Sequence, residues 1–331
     1  MVMKNESSVK KIRILKLWEL LRTETDETSP LDTVQIIEKL KQDGLSADRK
    51  TLYEDIKLLN EYGFEVMCER SKRNRYYVAD RSFDEAEIRM LIDAVFSANF
   101  ITTRKGEELA DKLTRLASKG SYNSLMRNLN DNNDKHDNEQ IWYNVDTINT
   151  ALQEDKKIRF KYFDYDISGN RIYRRKGGFY VANPVGLVFS DGNYYLVAFS
   201  DNFKHVANFR IDRMENASLT NLQLSHPEWM NSFDIVKHKN ESFSMFTGKS
   251  YKVELLADTS LTDVIFDRFG YDIKTNKYGE NQFYFKVNVQ VSPVFFQWLV
   301  TFKDKIKIIY PANVKEEYLK YLNEIINSYN D

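Results

Sequence analysis

Apolar residues in the first eighty or so positions predict three amphipathic helices. In the first, Ile14, Leu17, Trp18 and Leu21 follow the i, i+3, i+4, i+7 spacing of one helical face. Similar spacing predicts a second helix in "TVQIIEKLKQDG" and a third in "ADRKTLYEDIKLLNEY". The segment "FEVMCERSKRNRYYVAD" then has the pattern of a hairpin with a basic tip. Three helices followed by a hairpin are typical of a winged helix-turn-helix.

Residues at the predicted helix ends agree with these limits. Asp32 and Gln35 have the spacing of a capping box at the start of the second helix. Gly44 is suited to end that helix, because glycine tolerates the left-handed backbone of a C-terminal cap. Ser46 is predicted to cap the third helix, which ends at Gly63.

The outward face of the third helix, residues 46–62, carries basic and aromatic side chains. Leu52, Ile56 and Leu59 form its inward stripe. The outward residues are Arg49, Lys50, Tyr53 and Lys57, and the hairpin tip adds Lys72, Arg73 and Arg75. Guanidinium and ammonium groups suit guanine acceptors and phosphate oxygens, so this face is a candidate for DNA contact. A solvated helix face with a charged turn is the alternative interpretation.

Residues 82–140 are predicted to form a helical linker and a hinge. Ser82 and Glu85 fit a capping box for the first of two helices within residues 84–117. The segment 128–140, "NLNDNNDKHDNEQ", is polar and without period, which is typical of an exposed loop or a hinge. We therefore expect a domain boundary here.

Short alternating segments then predict strands. In "KKIRFKYFDYD", Ile158, Phe160 and Tyr162 fall on one face, and the basic residues between them fall on the other. Further strand candidates are "RIYRR", "FYVANPVGLVF", "NYYLVAF" and "HVANFRIDR", and Asp191-Gly192 marks a hairpin turn. Five short antiparallel strands predict a small barrel.

The last part of the chain alternates strand and helix patterns, which predicts an α+β domain similar to ferredoxin-like units. Pro293 falls in the first turn of one of these helices, where proline is tolerated. No residue pattern in this part carries chemistry.

Composition narrows the class of protein. A chain of 331 residues with 42% hydrophobic and 14% aromatic residues can build more than one packed core. The single cysteine, Cys68, excludes an internal disulfide. No apolar run approaches membrane-spanning length, and the N-terminus lacks an apolar signal core, so a cytoplasmic location is expected. The net charge of -1 decides little, since DNA binding depends on a local basic patch.

Catalytic patterns are weak throughout. The four histidines lack metal-ligand spacing, and no Gly-rich phosphate loop appears. We expect no catalytic residue, metal or cofactor. Two other classes stay open: a nucleic-acid-processing enzyme, and an interaction protein that uses the winged helix to dock another protein.

Several motifs together resemble one family. Tyr194-Tyr195-Leu196 matches the Trp-Tyr-Leu triplet of WYL domains, with tyrosine in place of tryptophan. The segment "FRIDR", residues 209–213, matches the family pattern Phe-Arg-x-Asp-Arg, and "IRFKY" and "NPVGL" also agree. "SADRKTLYEDIKLL" resembles the recognition helix of these proteins, with Thr51 and Asp55 at matching positions and Glu54 where arginine is common. The chain thus resembles the bacterial transcription regulators that join a winged helix-turn-helix to a WYL domain and a C-terminal extension.

This resemblance implies a cytoplasmic homodimer that binds double-stranded DNA, with an inverted repeat as its operator. It also implies a ligand, a nucleotide or a short single-stranded nucleic acid, sensed by a barrel of the Sm or SH3 kind. The fold class is multidomain α+β: a winged helix-turn-helix at 1–81, the linker at 82–140, the WYL barrel at 141–222 and a ferredoxin-like extension at 223–331. The candidate DNA-binding residues are Ser46, Arg49, Lys50, Thr51, Tyr53, Lys57, Lys72, Arg73 and Arg75.

The candidate ligand-binding residues are Tyr162, Tyr194, Tyr195, His205, Arg210, Asp212 and Arg213. If Phe209 and Ile211 face the core, Arg210 and Asp212 take the other side of a strand that ends at Arg213. One of the two adjacent tyrosines is expected to pack the barrel while the other lines the sensing face. Further positive field is expected from Lys157, Arg159, Lys161, Arg171, Arg174 and Arg175. The alternative is that both tyrosines pack the barrel and that Arg210 pairs internally with Asp212.

Overall fold

The computed structural model describes residues 6–70, 72–126 and 140–330. It divides into two compact units, residues 1–137 and 138–331. The predicted hinge lies outside the described residues, apart from its last position. The fold class is the multidomain α+β class that the sequence predicts. In the described part of the chain, no helix is both long and apolar enough to cross a membrane.

The first unit begins with three helices and a small antiparallel sheet. The helices are α1 (Glu6–Glu24), α2 (Thr33–Gln42) and α3 (Arg49–Glu61), and the strands are β1 (Leu31–Asp32), β2 (Val66–Glu69) and β3 (Arg75–Val78). Strand β3 lies between β1 and β2, and β2 and β3 form the hairpin expected of a winged helix-turn-helix. Leu52, Ile56 and Leu59 of α3 are buried against α1 and α2, which confirms the predicted inward stripe.

The predicted cap of α2 is present in the structure, whereas the N-caps of α3 and of the next helix differ from the predicted residues. The Asp32 and Gln35 capping box is confirmed. Helix α3 is capped by Asp48 and not by Ser46, since the Asp48 carboxylate accepts a hydrogen bond from Thr51 N at 2.7 Å. The flanking residues explain this: Leu45 and Ala47 both pack on the core while Ser46 is exposed, so the chain stays extended up to residue 47.

Two further helices follow in this unit, α4 (Glu85–Ser97) and α5 (Thr103–Thr114), and a short helix α6 covers Tyr122–Leu125. The predicted cap at Ser82 is wrong. The N-cap of α4 is Asp84, whose backbone N–H donates to Glu87 at 2.8 Å. Carboxylates in the first turn are favoured by the positive end of the helix dipole, which explains the later start.

The second unit opens with a helix and a curled antiparallel sheet. These elements are α7 (Gln140–Gln153), β4 (Lys156–Tyr165), β5 (Arg171–Tyr173), β6 (Tyr180–Ser190), β7 (Asn193–Phe199), β8 (Val206–Arg210) and β9 (Met214–Gln223). The strand order is β5-β4-β6-β7-β8, and β9 also pairs with β4. Register shifts in β4 and β6 bend these strands, which lets the sheet curl.

The predicted hairpin turn between β6 and β7 is confirmed. Asp191 and Gly192 have φ angles of 49° and 73°, as a type I′ turn requires at both central positions. The turn brings Tyr194 opposite Phe189 and Tyr195 opposite Val188.

The chain ends in a ferredoxin-like arrangement, as predicted. Its elements are α8 (Ile235–Glu241), β10 (Lys249–Asp258), α9 (Thr262–Phe269), β11 (Thr275–Tyr278), β12 (Gln282–Val291), α10 (Pro293–Thr301), β13 (Ile306–Tyr310) and α11 (Ala312–Asn327). The sheet order is β11-β12-β10-β13, and alternate apolar residues of β10 and β12 pack beneath the helices. Strand β11 is polar and fully exposed, which is why its sequence gives no strand signal.

Candidate functional site

The outward face of α3 is the first candidate site. Arg49, Lys50, Tyr53 and Lys57 are all exposed, as the helical spacing predicts. The ring of Tyr53 lies 6.4 Å from that of Tyr76 on β3, so the helix and the hairpin meet along an aromatic contact. Thr51 is half-buried, and its backbone N–H is used by the cap. Ser46 is exposed just before the helix begins.

The tip of the hairpin, the wing, carries three exposed cations. Arg75 on β3 donates to Glu69 on β2 at 2.7 Å. Arg73 lies 3.6 Å from the carboxylate of Asp32, the N-cap of α2. Lys72 is exposed beside them. Exposed ion pairs of this kind hold their side chains only weakly, so the wing keeps its cations on the surface.

Asp55, an acidic residue of α3, forms a buried ion pair with Arg13 of α1. Asp55 accepts from Arg13 Nε at 2.6 Å and from Arg13 Nη2 at 3.1 Å, and both side chains are less than a tenth exposed. The Asp55 carboxylate raises the pKa of the Arg13 guanidinium above its ordinary value. Asp55 therefore faces the protein interior and not the outward face of α3. The sequence contained a signal for this pair, an arginine four residues before Leu17 on the apolar face of α1.

The second candidate site begins where β8 ends. The strand stops at Arg210, and Ile211–Arg213 form a 3-10 turn, so the predicted strand through Arg213 is wrong. Arg210 donates to both oxygens of Asp212, at 3.1 Å and 2.7 Å, and to Asn193 Oδ1 at 2.7 Å. The turn bends Asp212 back under Arg210, which buries the aspartate instead of exposing it. The internal Arg210–Asp212 pair left open above is thus present.

A second ion pair lies beside the first. Arg174 donates to Asp164 at 2.6 Å and 2.9 Å, and Arg213 Nη1 lies 3.6 Å from the same carboxylate. The hydroxyl of Tyr162 accepts from Arg210 N at 3.2 Å, while Arg174 stands 5.0 Å from the centre of the Tyr162 ring. We call Arg174, Arg210 and Arg213 the arginine cluster. Tyr162 and the two aspartates connect its members.

Charge and burial set the protonation states of this region. Hydrogen bonding to Arg174 lowers the pKa of Asp164. Burial raises the pKa of Tyr162, and burial also raises that of Tyr195. Both tyrosines are therefore neutral hydrogen-bonding groups at physiological pH, and both aspartates face arginines as acceptors. The two carboxylates thus offset two of the three positive charges of the cluster in this state.

The adjacent tyrosines take different environments. Tyr195 is 7% exposed and packs with Val188 and Val197 in the sheet core. It also lies opposite Arg210 across the β7–β8 pair. Tyr194 points to the other face of the strand, where its ring lies 5.2 Å from that of Phe189. Tyr195 is the packing tyrosine of the two.

The structure brings most of the predicted ligand residues together and leaves two apart. Tyr162, Tyr195, Arg210, Asp212 and Arg213 form one neighbourhood at the end of β8. His205 is exposed just before the other end of β8, with its ring 5.4 Å from that of Phe203. Tyr194 lies on the opposite face of β7.

The basic residues of β4 also separate. Lys157 is buried, with Nζ 2.6 Å from Asp201 Oδ2, so its predicted outward position is wrong. The register shift beside it turns its side chain inward. Arg159 and Lys161 remain outside and lie 5.2 Å and 5.5 Å from the centre of the Phe179 ring.

Two aromatic residues next to the cluster were missing from the prediction. Arg175 stands 3.9 Å from the centre of the Tyr180 ring, and Tyr180 stacks on Phe160 at 5.5 Å. Phe179 and Tyr180 thus extend the aromatic and basic surface around the arginine cluster. Their sequence signal is adjacency to the basic segment "RRKGG", which becomes informative only once the strands are paired.

Among residues 6–70, 72–126 and 140–330, no group of three or more His, Cys, Asp or Glu side chains is arranged to hold a metal ion.

The fold and these sites define a multidomain α+β protein with a winged helix-turn-helix and a curled basic sheet. Residues 143–219, from α7 to β9, match the family model described as the WYL domain. This region of the chain is therefore a WYL domain, which confirms the resemblance stated above for residues 143–219.

Two solved structures are similar at low identity. Proteasome accessory factor B/C (PafBC) of Arthrobacter aurescens is 14% identical with a TM-score of 0.29, over 97% of this chain and 49% of that chain. This chain thus spans about half the length of PafBC. A CRISPR Cas-related protein is 14% identical with a TM-score of 0.35, over 98% of this chain and 81% of that chain. No curated protein sequence matches the chain.

Proposed function

We propose that this protein is a sequence-specific, DNA-binding regulator of transcription whose affinity for DNA is controlled by a ligand at its WYL domain. The observation that carries the DNA part is the outward face of α3, where Arg49, Lys50, Tyr53 and Lys57 are exposed together. The buried Arg13–Asp55 pair supports it, because it neutralises an acidic residue of the same helix.

In this proposal α3 enters the major groove. Arg49 and Lys50, in its first turn, donate to base edges or phosphates, and Lys57 binds the phosphate backbone further along. Tyr53 packs between the helix and the hairpin and offers its hydroxyl to a phosphate. The wing cations Lys72, Arg73 and Arg75 contact the neighbouring backbone or minor groove.

A homodimer on an inverted repeat is the proposed assembly. One winged helix reads only a short half-site, and two linked copies multiply the affinity of each. The symmetry of the operator then mirrors that of the dimer.

The arginine cluster is the proposed ligand site, and its exposure suggests a division of roles. Arg174 and Arg213 are half and one-third exposed, and they share one carboxylate, Asp164. A ligand phosphate competes with Asp164 for these two arginines. Arg210 is held by Asp212 and Asn193, so it positions the 3-10 turn. Phe179 and Tyr180, the accessible aromatic residues next to the cluster, supply rings beside the phosphate, which suits a nucleotide or a short single strand.

Ligand control requires that the ligand bind the DNA-competent and incompetent states with different affinity. We expect the two states to differ locally in the partner of Arg174 and Arg213, which is Asp164 in one state and the ligand phosphate in the other. No catalytic residue is assigned in this proposal.

Selection of bound sequences from a random duplex pool at near-physiological salt tests the DNA part. The wild-type chain is expected to recover an inverted repeat, and the Arg49→Ala/Lys50→Ala variant is expected to lose it. A Lys16→Ala/Lys41→Ala variant is the matched control, because it removes the same charge from exposed positions on α1 and α2. If all three proteins select the same sequence, α3 is not the reader.

Operator affinity measured with and without nucleotides and short single strands tests the ligand part. Arg174→Ala/Arg213→Ala is expected to spare DNA binding by the free protein and to abolish its response to the effector. Lys320→Ala, on the exposed face of α11, is the control. An unchanged response in the double variant would move the ligand site elsewhere.

A further inference from the structure

A cleft at the other end of β8 has the features of a separate small-molecule site. Its volume is about 590 Å³, and it lies between the start of β8, helix α8 and the strands β10 and β12. This volume is in the range that holds a drug-sized or nucleotide-sized ligand. Its lining does not include Tyr162 or any member of the arginine cluster.

The floor of the cleft holds a buried carboxylate with an unused oxygen. Glu241 is 7% exposed, and its Oε2 accepts from Ser250 Oγ at 2.7 Å. Its Oε1 is buried and has no hydrogen-bond partner among the described residues. The nearest cation, Lys237 Nζ, is 3.9 Å away on a mostly exposed side chain. A buried acceptor without a donor is unfavourable, so Oε1 offers a position for an N–H group of a ligand.

His238 and Gln290 also line the cleft, and hydrogen bonds hold both side chains in place. Asn208 Nδ2 donates to Met245 O, which leaves its Oδ1 to accept from His238 Nε2 at 3.0 Å. Gln290 Oε1 accepts from Gly248 N, so its Nε2 donates to His238 Nδ1 at 3.0 Å. These contacts fix His238 as the neutral Nε2–H tautomer. Burial also lowers the pKa of His238, which favours the neutral form. His238 thus has no proton to offer Glu241.

The walls and rim complement this floor. Half-buried Trp229 and Phe233 line the cleft and present apolar surface to a flat ring. Lys204, Lys237 and Lys249 are exposed at its edge, where they attract an anion. The acidic Asp234 in the lining is occupied as the N-cap of α8, since it accepts from Val236 N and Lys237 N.

We propose that this cleft binds a nucleoside phosphate, with an N–H group of the base on Glu241 Oε1 and the phosphate among the rim lysines. The base packs against the apolar surface of Trp229 and Phe233, and one molecule then joins a buried acceptor to a cationic rim. Hydrogen bonds connect Asn208 of β8 to Gln290 of β12 through His238, which lines the cleft, so an occupant lies beside a contact between the two sheets of this unit. That this ligand controls DNA affinity rests on the proposed function; its binding does not.

Calorimetric titration of the full chain with the 5′-monophosphates of adenosine, guanosine, cytidine and uridine tests the proposal. At least one is expected to bind, and Glu241→Gln is expected to weaken that nucleotide about tenfold or more, the value of a hydrogen bond to a charged group. Lys204→Ala/Lys249→Ala changes only exposed residues and is expected to weaken binding and flatten its salt dependence. Lys252→Ala/Lys274→Ala, in a different cleft on the C-terminal sheet, is the matched control.

Several results would overturn the proposal. These are no binding of any of the four nucleotides, equal binding by Glu241→Gln, or inorganic phosphate binding as tightly as the best nucleotide. Circular dichroism checks that each variant is folded. If Glu241→Gln does not fold, the nucleotide affinity of Lys204→Ala/Lys249→Ala tests the proposal in its place. Operator affinity without nucleotide is measured in parallel. Nucleotide binding that Glu241→Gln weakens, without DNA binding, would reject the proposed regulator alone. DNA binding together with a nucleotide affinity that Glu241→Gln leaves unchanged would reject this site alone.

Discussion

The outward face of α3 and the arginine cluster of the WYL domain are both rich in cations, yet they hold them differently. On α3, Arg49 and Lys50 are exposed, and Lys57 has only a loose contact with Glu61 at 3.6 Å. In the cluster, Arg210 is 25% exposed and makes three hydrogen bonds to acceptors of its own unit. One set of charges faces solvent, while each cation of the other set already lies beside a carboxylate of its own unit.

This difference separates surface charge from structural charge. Exposed cations add little to folding, so their removal leaves the unit intact while it weakens contact with a polyanion. Matched and partly buried cations are part of the fold, because removal of either partner leaves the other without compensation. An anion reaches such a cluster only by replacing a carboxylate, which makes the cluster suited to a switch.

Arg13→Ala gives the largest expected effect, because it breaks the buried Arg13–Asp55 pair beneath α3. It leaves Asp55 buried without its cation, and we expect the first unit to lose about 3–5 kcal/mol of unfolding free energy. Hydrogen exchange of peptides from α1 and α3 measures the loss within that unit. The exposed Lys16–Glu19 pair on α1 supplies the control, Lys16→Ala, with an expected loss under about 1 kcal/mol. Similar losses in both variants would contradict this distinction.

Asp212→Asn tests the cluster in the same way. Arg210 keeps Asn193 but loses its bidentate carboxylate, so we expect a loss of about 1–3 kcal/mol in the stability of the β8 region. Exchange of peptides covering residues 206–214 reports it. Arg49→Ala is the counterpart from α3 and is expected to leave exchange in its own unit within about 0.5 kcal/mol of wild type. If Asp212→Asn is also silent, the cluster is no more structural than the α3 face.

Lys57→Ala sharpens the α3 side of the comparison through salt. If Lys57 binds one phosphate, its removal weakens all DNA sequences alike and lowers the slope of log affinity against log salt by roughly 0.9. Fluorescence anisotropy with operator and random duplexes over a series of salt concentrations measures both effects. Lys16→Ala again serves as the control. A change confined to the operator would instead make Lys57 a base-reading residue.

The two regions also differ in how far the sequence predicted them. The α3 face follows from helical spacing, since Leu52, Ile56 and Leu59 fix which side is buried and therefore which side is exposed. Local pattern is sufficient there. Its buried partner Arg13 lies 42 residues from Asp55 in the chain, so periodicity marks the position but not the contact.

In the WYL domain the same kind of pattern failed at particular residues. Strict alternation predicts that β8 continues through Arg213, but the chain turns at Ile211 and buries Asp212. Alternation also places Lys157 outside, whereas a bulge turns it inward to Asp201. Turns and bulges depend on pairing between distant strands, which a single alternating segment does not contain. The cleft at Glu241 shares this property, since residues from several separate strands and helices line it.

The Lys157–Asp201 pair combines one buried and one exposed side chain, and it gives the smallest expected effect. Lys157 is buried while Asp201 is half exposed, and the hydrogen bond from Lys157 lowers the pKa of Asp201 to about 2. A carboxylate with a lowered pKa in the folded state stabilises the fold above its ordinary pKa and loses that effect as pH falls from about 4 toward 2. Solvent screening keeps the contribution under about 1 kcal/mol. Unfolding of wild type, Asp201→Asn, Lys157→Met and the double variant gives the coupling between the two residues. We expect a measurable coupling at pH 7 that shrinks at pH 3, and a coupling independent of pH would show that the pair stabilises the fold by packing and not by charge.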